Sequence, residues 1–535
     1  MRAPALLACG LVLLASARAA RAAEVYLPTH AAAQEALAAG DRARESALEL
    51  ADPLARRAGL ATAFDAWWRA LEQSASGDAV PASGAALGAL GAGARLGVEE
   101  AVWLRLAELE ASERAHWSER MDAIARERSA SALPDAAGSR SPSALAASRR
   151  GPAAEPSLRA LERNYPRTRT AAEAALALAD LAHERARAAR AQDWLARARR
   201  HAADQGPPEL LQAVAARAAV YGAAETPTAA TAERSAAGLA AANGLRALGT
   251  LALPLSAEGA RIGARLGRFL RPGLCALPDG RLCVQAPERL AFLTREGTRL
   301  SVLVDPGALL TEACGLRPAW APGRVAPGWQ LAPSSGSGLL FLVHGRSMPS
   351  GAPNALLALR PPAEHAAALD PASLPRVAWA VAGERWWPAP GQARTHPLLA
   401  GFEQAELQPA PLALGGQVLV QVRVESGAWN AWLLALDATS GEPLWRCFLA
   451  RGDELVADLG RGTAAPGLPS AGSAEPLVAA QGAVLAGTSL GAGAACSALD
   501  GRLLWAASYA RRAEPELNWQ SSPARPVQGE PGRWA

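Results

Sequence analysis

Three groups of residues in this sequence could do chemistry. Gly487-Thr488-Ser489-Leu490-Gly491 has the G-x-S-x-G spacing of a nucleophile elbow. There a strand-to-helix turn lifts a serine above a parallel sheet so that its hydroxyl can attack an acyl carbon. Here the flanking residues read as strands, with Asp500-Gly501 turning into the next one, so Ser489 is expected in a β-turn and not in an elbow. The seven histidines (His30, His116, His183, His201, His344, His365 and His396) form no H-E-x-x-H and have no cysteine partners at zinc spacing. His183 and His201 fall on helical stretches, where they are expected on solvated faces, and no metal site is expected. Beyond residue 23 there are five cysteines, Cys275, Cys283, Cys314, Cys447 and Cys496. Their odd number leaves at least one unpaired, and none sits in a C-x-x-C. Cys275 and Cys283 flank the turn Pro278-Asp279-Gly280 and can either meet across a hairpin or stay as buried free thiols. Gly91-Ala92-Gly93-Ala94-Arg95-Leu96-Gly97 departs from G-x-G-x-x-G and follows no strand, so no dinucleotide site is expected. No catalytic, cofactor-binding or metal-binding residue is assigned.

The elements that carry these residues follow from composition. At 535 residues and 50% hydrophobic, the chain has material for two or more packed domains and is not intrinsically disordered. All 54 basic residues are arginine, and isoleucine occurs only at Ile124 and Ile262. This reads as the codon bias of a GC-rich genome and not as a nucleic-acid footprint. Residues 1–23 read as a secretory signal: Arg2, the apolar run from Ala3 to Ser16, then Ala17-Arg18-Ala19 or Ala20-Arg21-Ala22 as a cleavage site. The run is too short for a span, which needs ~20 apolar residues. Leu6-Leu7-Ala8-Cys9 sits too early in it for a lipoprotein signal. Cleavage removes three arginines and no acid, so the charge of +4 becomes +1, which offers nothing to nucleic acid or anionic lipid. The mature chain is expected in the periplasm or cell envelope, without a transmembrane segment.

Residues 24–245 read as helical, rich in alanine, leucine, arginine and glutamate. The clearest unit starts at Leu161-Glu162-Arg163-Asn164-Tyr165-Pro166 with Thr168. Two amphipathic stretches follow: Ala171 to Arg187, and Ala191 to Ala203 with Trp194, Leu195 and Ala198 on one side. Residues 129–156 read as a flexible loop within this region. Trp67, Trp68, Trp103, Trp117 and Trp194 are expected in inter-helix packing, with a peptide groove as the alternative.

From about residue 250 to 535, short β-rich runs alternate with Gly, Pro and Asp turns. Ala435-Leu436-Asp437-Ala438-Thr439-Ser440-Gly441-Glu442-Pro443-Leu444-Trp445 is followed by Ala498-Leu499-Asp500-Gly501-Arg502-Leu503-Leu504-Trp505. In both, glycine precedes tryptophan by four positions. Matching Asp437 to Asp500 makes the first loop the longer one and the second a two-residue turn. Fainter copies lead through Leu339–Val343 and Ala355–Leu359 to Trp379, and through Arg281–Val284 and Leu290–Leu293 to a turn with no tryptophan after it.

The Ala-Leu-Asp-x-x-x-Gly-x-x-x-Trp pattern resembles the repeat of pyrroloquinoline-quinone-type β-propellers, loosely grouped with BamB-like proteins. The helical unit resembles an envelope-type tetratricopeptide repeat. These resemblances imply a multidomain α + β chain, a TPR-like solenoid followed by a propeller of about four blades. Because that family usually has seven or eight blades, the sequence is expected to be C-terminally incomplete, or its last blade to be covered by a partner or by self-pairing. They further imply that Asp437, Gly441, Trp445, Asp500, Gly501, Trp505 and Trp379 are structural repeat residues, the tryptophans docking between neighbouring blades. The expected role is a non-catalytic scaffold that holds proteins or peptides of the bacterial envelope. Two alternatives remain: a degenerate or truncated quinoprotein oxidoreductase using PQQ and calcium, and a carbohydrate- or cell-wall-binding propeller. Against the first, the sequence has no vicinal cysteine pair and no carboxylate cluster at calcium-loop spacing.

Overall fold

The computed structural model describes residues 25–83, 90, 93–132, 155–185, 187–203 and 208–222, and then 270–508 with breaks at 272, 287–288, 294–299, 317–328, 331–332, 346–353, 363–374, 409, 427, 453–476 and 489. The expected signal at 1–23 lies outside the described residues. The chain divides into two compact units. One comprises residues 29–80 and 96–246; the other comprises 1–28, 81–95 and 247–535.

The first unit is helical. Its described helices are α1 (Ala31–Leu48), α2 (Pro53–Gln73), α3 (Val98–Ala107), α4 (Ala111–Ala132), α5 (Glu155–Asn164), α6 (Arg169–Glu184), α7 (Ala188–Ala202) and α8 (Pro208–Gly222). Side-chain caps start several of them. Asp52 accepts from the amides of Leu54 and Ala55 ahead of α2, with Pro53 at the first helical position. Short links fold α1 against α2 and α6 against α7. In the second pair, alanines 171, 172, 174, 175, 179, 191 and 198 are fully buried and let the helices approach closely. Trp67, Trp103, Trp117 and Trp194 are buried between helices, and Trp67 donates through Nε1 to Asp41 Oδ1 at 3.0 Å. Residues 129–132, expected in a loop, belong to α4, which runs on to Ala132; residues 133–154 of that expected loop lie outside the described residues. The last turns of α4 are serine and alanine, and alanine continues a helix at no cost in propensity.

In the second unit four antiparallel sheets follow one another along the chain. The short strand β1 (Val25–Tyr26) is taken up below. The first sheet is β2 (Gly273–Ala276), β3 (Leu282–Gln285), β4 (Leu290–Leu293) and β5 (Leu300–Val304). The second is β6 (Ser334–Gly336), β7 (Leu339–His344), β8 (Ala355–Arg360) and β9 (Arg376–Ala382), extended by β10 (Arg385–Trp387) and β11 (Arg394–Thr395). The third joins β12 (Glu406–Leu407), β13 (Leu412–Leu414), β14 (Gln417–Glu425), β15 (Trp429–Asp437) and β16 (Pro443–Gly452). Here β1 adds itself antiparallel to β16, Val25 opposite Gly452 and Tyr26 opposite Arg451. The fourth contains β17 (Val478–Ala480), β18 (Ala483–Thr488), β19 (Ala492–Ser497) and β20 (Leu503–Ser508).

Period-two alternation stacks these sheets face to face. Along β7, Leu340 and Leu342 pack with Phe292 and Val302 of the first sheet. Phe341 and Val343 pack with Val418 and Val420 of the third. A strand buried on both faces has no polar side to show, and all six residues of β7 are buried. Each sheet also carries a bulge at the same place between its third and fourth core strands. The residue just before it is Ala358, Ala435 or Ala495, opposite Trp379, Trp445 and Trp505; in the first sheet it is Phe292, opposite Val302. Valine thus stands where the repeat has lost its tryptophan.

The β half also contains a helix, α9 (Pro306–Cys314), where only strands were expected. Its signals are ordinary ones: Asp305 accepts from the amides of Gly307 and Ala308, proline stands at the first helical position, and Gly315 ends it.

Candidate functional site

The repeat residues are brought together between consecutive sheets. Gly441 has φ +71°, and a Cβ there would lie 2.5 Å from the Trp379 ring; Gly501 has φ +73°, and a Cβ there would fall inside the Trp445 ring. Each tryptophan therefore covers the turn of the following sheet. Trp379 Nε1 donates to the Ala438 carbonyl at 2.9 Å. Trp445 reaches the equivalent carbonyl through a relay: its Nε1 donates to Gln417 Oε1 at 3.2 Å, and Gln417 Nε2 donates to Ala498 O at 3.1 Å. Trp505 is buried too, and among the described residues its Nε1 meets no acceptor.

The two turns have the same length, which corrects the match of Asp437 to Asp500. In the third sheet Asp437 N bonds Glu442 O, Ala438 N bonds Gly416 O and Gly441 N bonds Asp437 O. In the fourth, Ser497 N bonds Arg502 O, Ala498 N bonds Gly482 O and Gly501 N bonds Ser497 O. Ser497 therefore stands in the place of Asp437, and Asp500 in that of Ser440. Asp437 Oδ1 accepts from the amides of Thr439 and Ser440 at 3.0 and 2.9 Å, and Asp500 Oδ1 accepts from the Arg502 amide at 3.4 Å. The glycine seated under the tryptophan fixes the register, and the Ala-Leu-Asp triplet is free to slide against it.

A second set of contacts between sheets was missed in the sequence. Gln421 Nε2 donates to Gly487 O, and four residues earlier Gln417 donates to Ala498 O. Arg281 and Gln285 have the same spacing on the first sheet, donating to Pro362 O and Val343 O. A buried donor every fourth residue of a strand, on one face, is the signal that could have revealed them.

Gly487-Thr488-Ser489-Leu490-Gly491 turns β18 into antiparallel β19, with Gly491 N bonding Thr488 O and Ala492 N bonding Thr488 Oγ1. Ser489 lies outside the described residues. The geometry is a hairpin, not a strand-to-helix elbow.

In the helical unit, polar groups converge around a cavity of about 160 Å³ lined by Ala115, Ser118, Glu119, Asp122, Arg167, Arg169 and His201. The turn Tyr165-Pro166-Arg167-Thr168 brings Arg167 into its lining. Thr168 Oγ1 donates to Tyr165 O and accepts from Ala171 N, which caps α6. Arg167 takes φ +60°, unusual for a residue with a Cβ. Its amide donates to His201 Nδ1 at 3.1 Å, and His201 Nε2 lies 2.9 Å from Glu162 Oε1. His201 is therefore buried and bonded at both nitrogens, not on a solvated face. It follows Trp194 and Ala198 at i+7 and i+3, the same apolar stripe of α7, and this spacing was the signal to read. Burial holds its pKa below the ordinary value, although Glu162 pulls the other way. The guanidinium groups of Arg167 and Arg200 sit over the Trp103 ring, 5.4 and 4.0 Å from its centre. Burial, Arg114 and Arg200 lower the Arg167 pKa. His183 stacks on Tyr221, ring centres 4.0 Å apart.

Asp122 on α4 accepts from the amides of Arg169 and Thr170 at 3.1 and 2.9 Å. It supplies α6 with a cap from a different helix. Asp122→Ala is expected to lower stability by about 1–2 kcal/mol in a denaturant titration, the usual range for losing a cap.

Trp379 and Trp445 lie against the turns of the next sheet with their Nε1 groups bonded. Among the described residues no three His, Cys, Asp or Glu side chains converge as metal ligands, and no helix is long and apolar enough to cross a membrane.

No known protein family's profile matches the chain, and no curated protein matches it. Among solved structures it is similar to the quinohemoprotein alcohol dehydrogenase ADHIIG of Pseudomonas putida HK5, at 15% identity over 45% of this chain and 34% of that one, with a TM-score of 0.26. It is similar to BamB from Moraxella catarrhalis at 11% identity over 44% and 74% of the two chains, TM-score 0.18. It is also similar to Saccharomyces cerevisiae Sqt1, at 12% identity over 46% and 64%, TM-score 0.22. The chain thus spans about a third of the dehydrogenase's length. Propeller proteins are among these neighbours.

Proposed function

We propose that this protein is an exported, non-catalytic interaction protein of the bacterial cell envelope. In this reading the helix pairs are tetratricopeptide-type repeats, the four sheets are blades of a quinone-repeat propeller, and both hold other proteins or peptides. The observation that carries it is the polar cavity of the helical unit. Side chains from α4, α6, α7 and the Tyr165–Thr168 turn present hydroxyl, carboxylate and guanidinium groups in one recess. Such a recess suits the mixed polar groups of a peptide, and helical repeats bind through recesses of this kind without a catalytic residue. The repeat tryptophans hold sheet to sheet, a structural role that accords with this reading.

The test is a photoreactive residue at Ser118 in the full chain, expressed in the source cells and irradiated in the intact envelope. A discrete cross-linked protein that falls at least tenfold when Arg167→Glu is added is the expected result. A purified chain that binds the quinone with calcium and reduces a dye with alcohols or sugars would overturn the reading.

A further inference from the structure

We propose that Cys447 and Cys496 are a disulfide-forming pair that joins the third and fourth sheets. Cys447 lies on β16 two residues after Trp445, on the face that covers the fourth sheet. Cys496 lies on β19, and β16 and β19 are in contact. The neighbouring Cys447 thiol, together with burial, pushes the Cys496 pKa above its ordinary value. Both are buried, at 1% and 0% exposure. An S–S bond between them requires their Cα atoms to come within about 7 Å, an approach open to contacting strands of adjacent sheets. The other cysteines differ. Cys275 and Cys283 are opposite each other within one sheet, so a bond there would join no two sheets.

The oxidant is a small or protein disulfide, as in an export compartment. One cysteine's thiolate attacks it, forming a mixed disulfide and expelling one thiolate. The second cysteine's thiolate then attacks the protein sulfur and expels the other. Two protein thiols lose two protons and two electrons, and one disulfide is reduced to two thiols. Because the pair is buried once folded, the bond forms while the sheets assemble.

The full chain would be refolded with oxidised glutathione, unfolded without reductant, alkylated with N-ethylmaleimide and digested. The expected result is one linked species holding the Cys447 and Cys496 peptides, with alkylation at both positions reduced at least tenfold against a fully reduced control. Full alkylation of both, or linkage of either to Cys275, Cys283 or Cys314, overturns the proposal. Thermal melting gives a second readout. The oxidised wild-type chain should melt higher than the reduced one, and Cys447→Ala should melt at one temperature in both states. A redox-dependent shift that survives in Cys447→Ala also overturns it.

Discussion

Gly501→Ala is expected to destabilise the protein by about 2–5 kcal/mol, the sum of forcing alanine into left-handed backbone and overpacking a filled site. The backbone at Gly501 has φ +73°, and the new methyl group would enter the ring of Trp445. Trp445→Leu alone is expected to lose a few kcal/mol, because a buried indole is only partly replaced and the Gln417 carbonyl loses its donor. The double variant should be less damaged than the two losses added together, by about 1–3 kcal/mol, since the clash disappears with the indole. Denaturant midpoints of the four chains measure this directly. Additive losses would mean that Trp445 does not sit on that turn. Gly441 and Trp379 form the same pair one sheet earlier and should behave alike.

The second large effect is a dependence on pH carried by His344. This residue ends β7 and is buried, with Asp305 nearby. Burial pushes its pKa down to about 4, Asp305 offsetting only part of the effect. Between about pH 6.5 and 4 the unfolded chain takes up a proton that the folded chain refuses, so stability rises with pH in that window. The contribution is complete above about 6.5 and lost as the pH falls towards 4, amounting to about 3 kcal/mol at 1.36 kcal/mol for each tenfold in proton affinity. His344→Asn should remove that slope. The comparison is the difference in unfolding free energy between pH 7 and 4.5 for wild type and variant. Equal slopes would show that His344 is protonated in the fold.

Glycine four positions before tryptophan was legible because each sheet repeats two halves of the same contact: its glycine turn lies under the ring of the sheet before, and its tryptophan lies on the turn of the sheet after. The alternation of the strands and the alanine-rich faces of α6 and α7 were legible for the same reason: each is periodic and local. The Ala-Leu-Asp triplet misled because its aspartate is a side-chain convenience. Ser497 fills the place of Asp437 and keeps the backbone bonds of the turn. His201 is polar yet lies inside the unit, because Glu162 and the Arg167 amide satisfy both of its nitrogens there; its place on the apolar stripe of α7 shows this and its polarity hides it. The pairing of β1 with β16 had no local signal at all, since its two halves lie at opposite ends of the chain.

That pairing has a consequence for the time at which the protein can be finished. Residues 25 and 26 leave the ribosome early, while their partners at 451 and 452 follow some 430 residues later, about 20–90 s at ordinary rates of synthesis. Throughout that interval the outer edge of β16 does not yet exist, and the start of the chain has nothing to pair with. The third sheet is therefore completed by a segment made long before the strand it pairs with. Its assembly depends on what keeps the first strand from pairing elsewhere meanwhile.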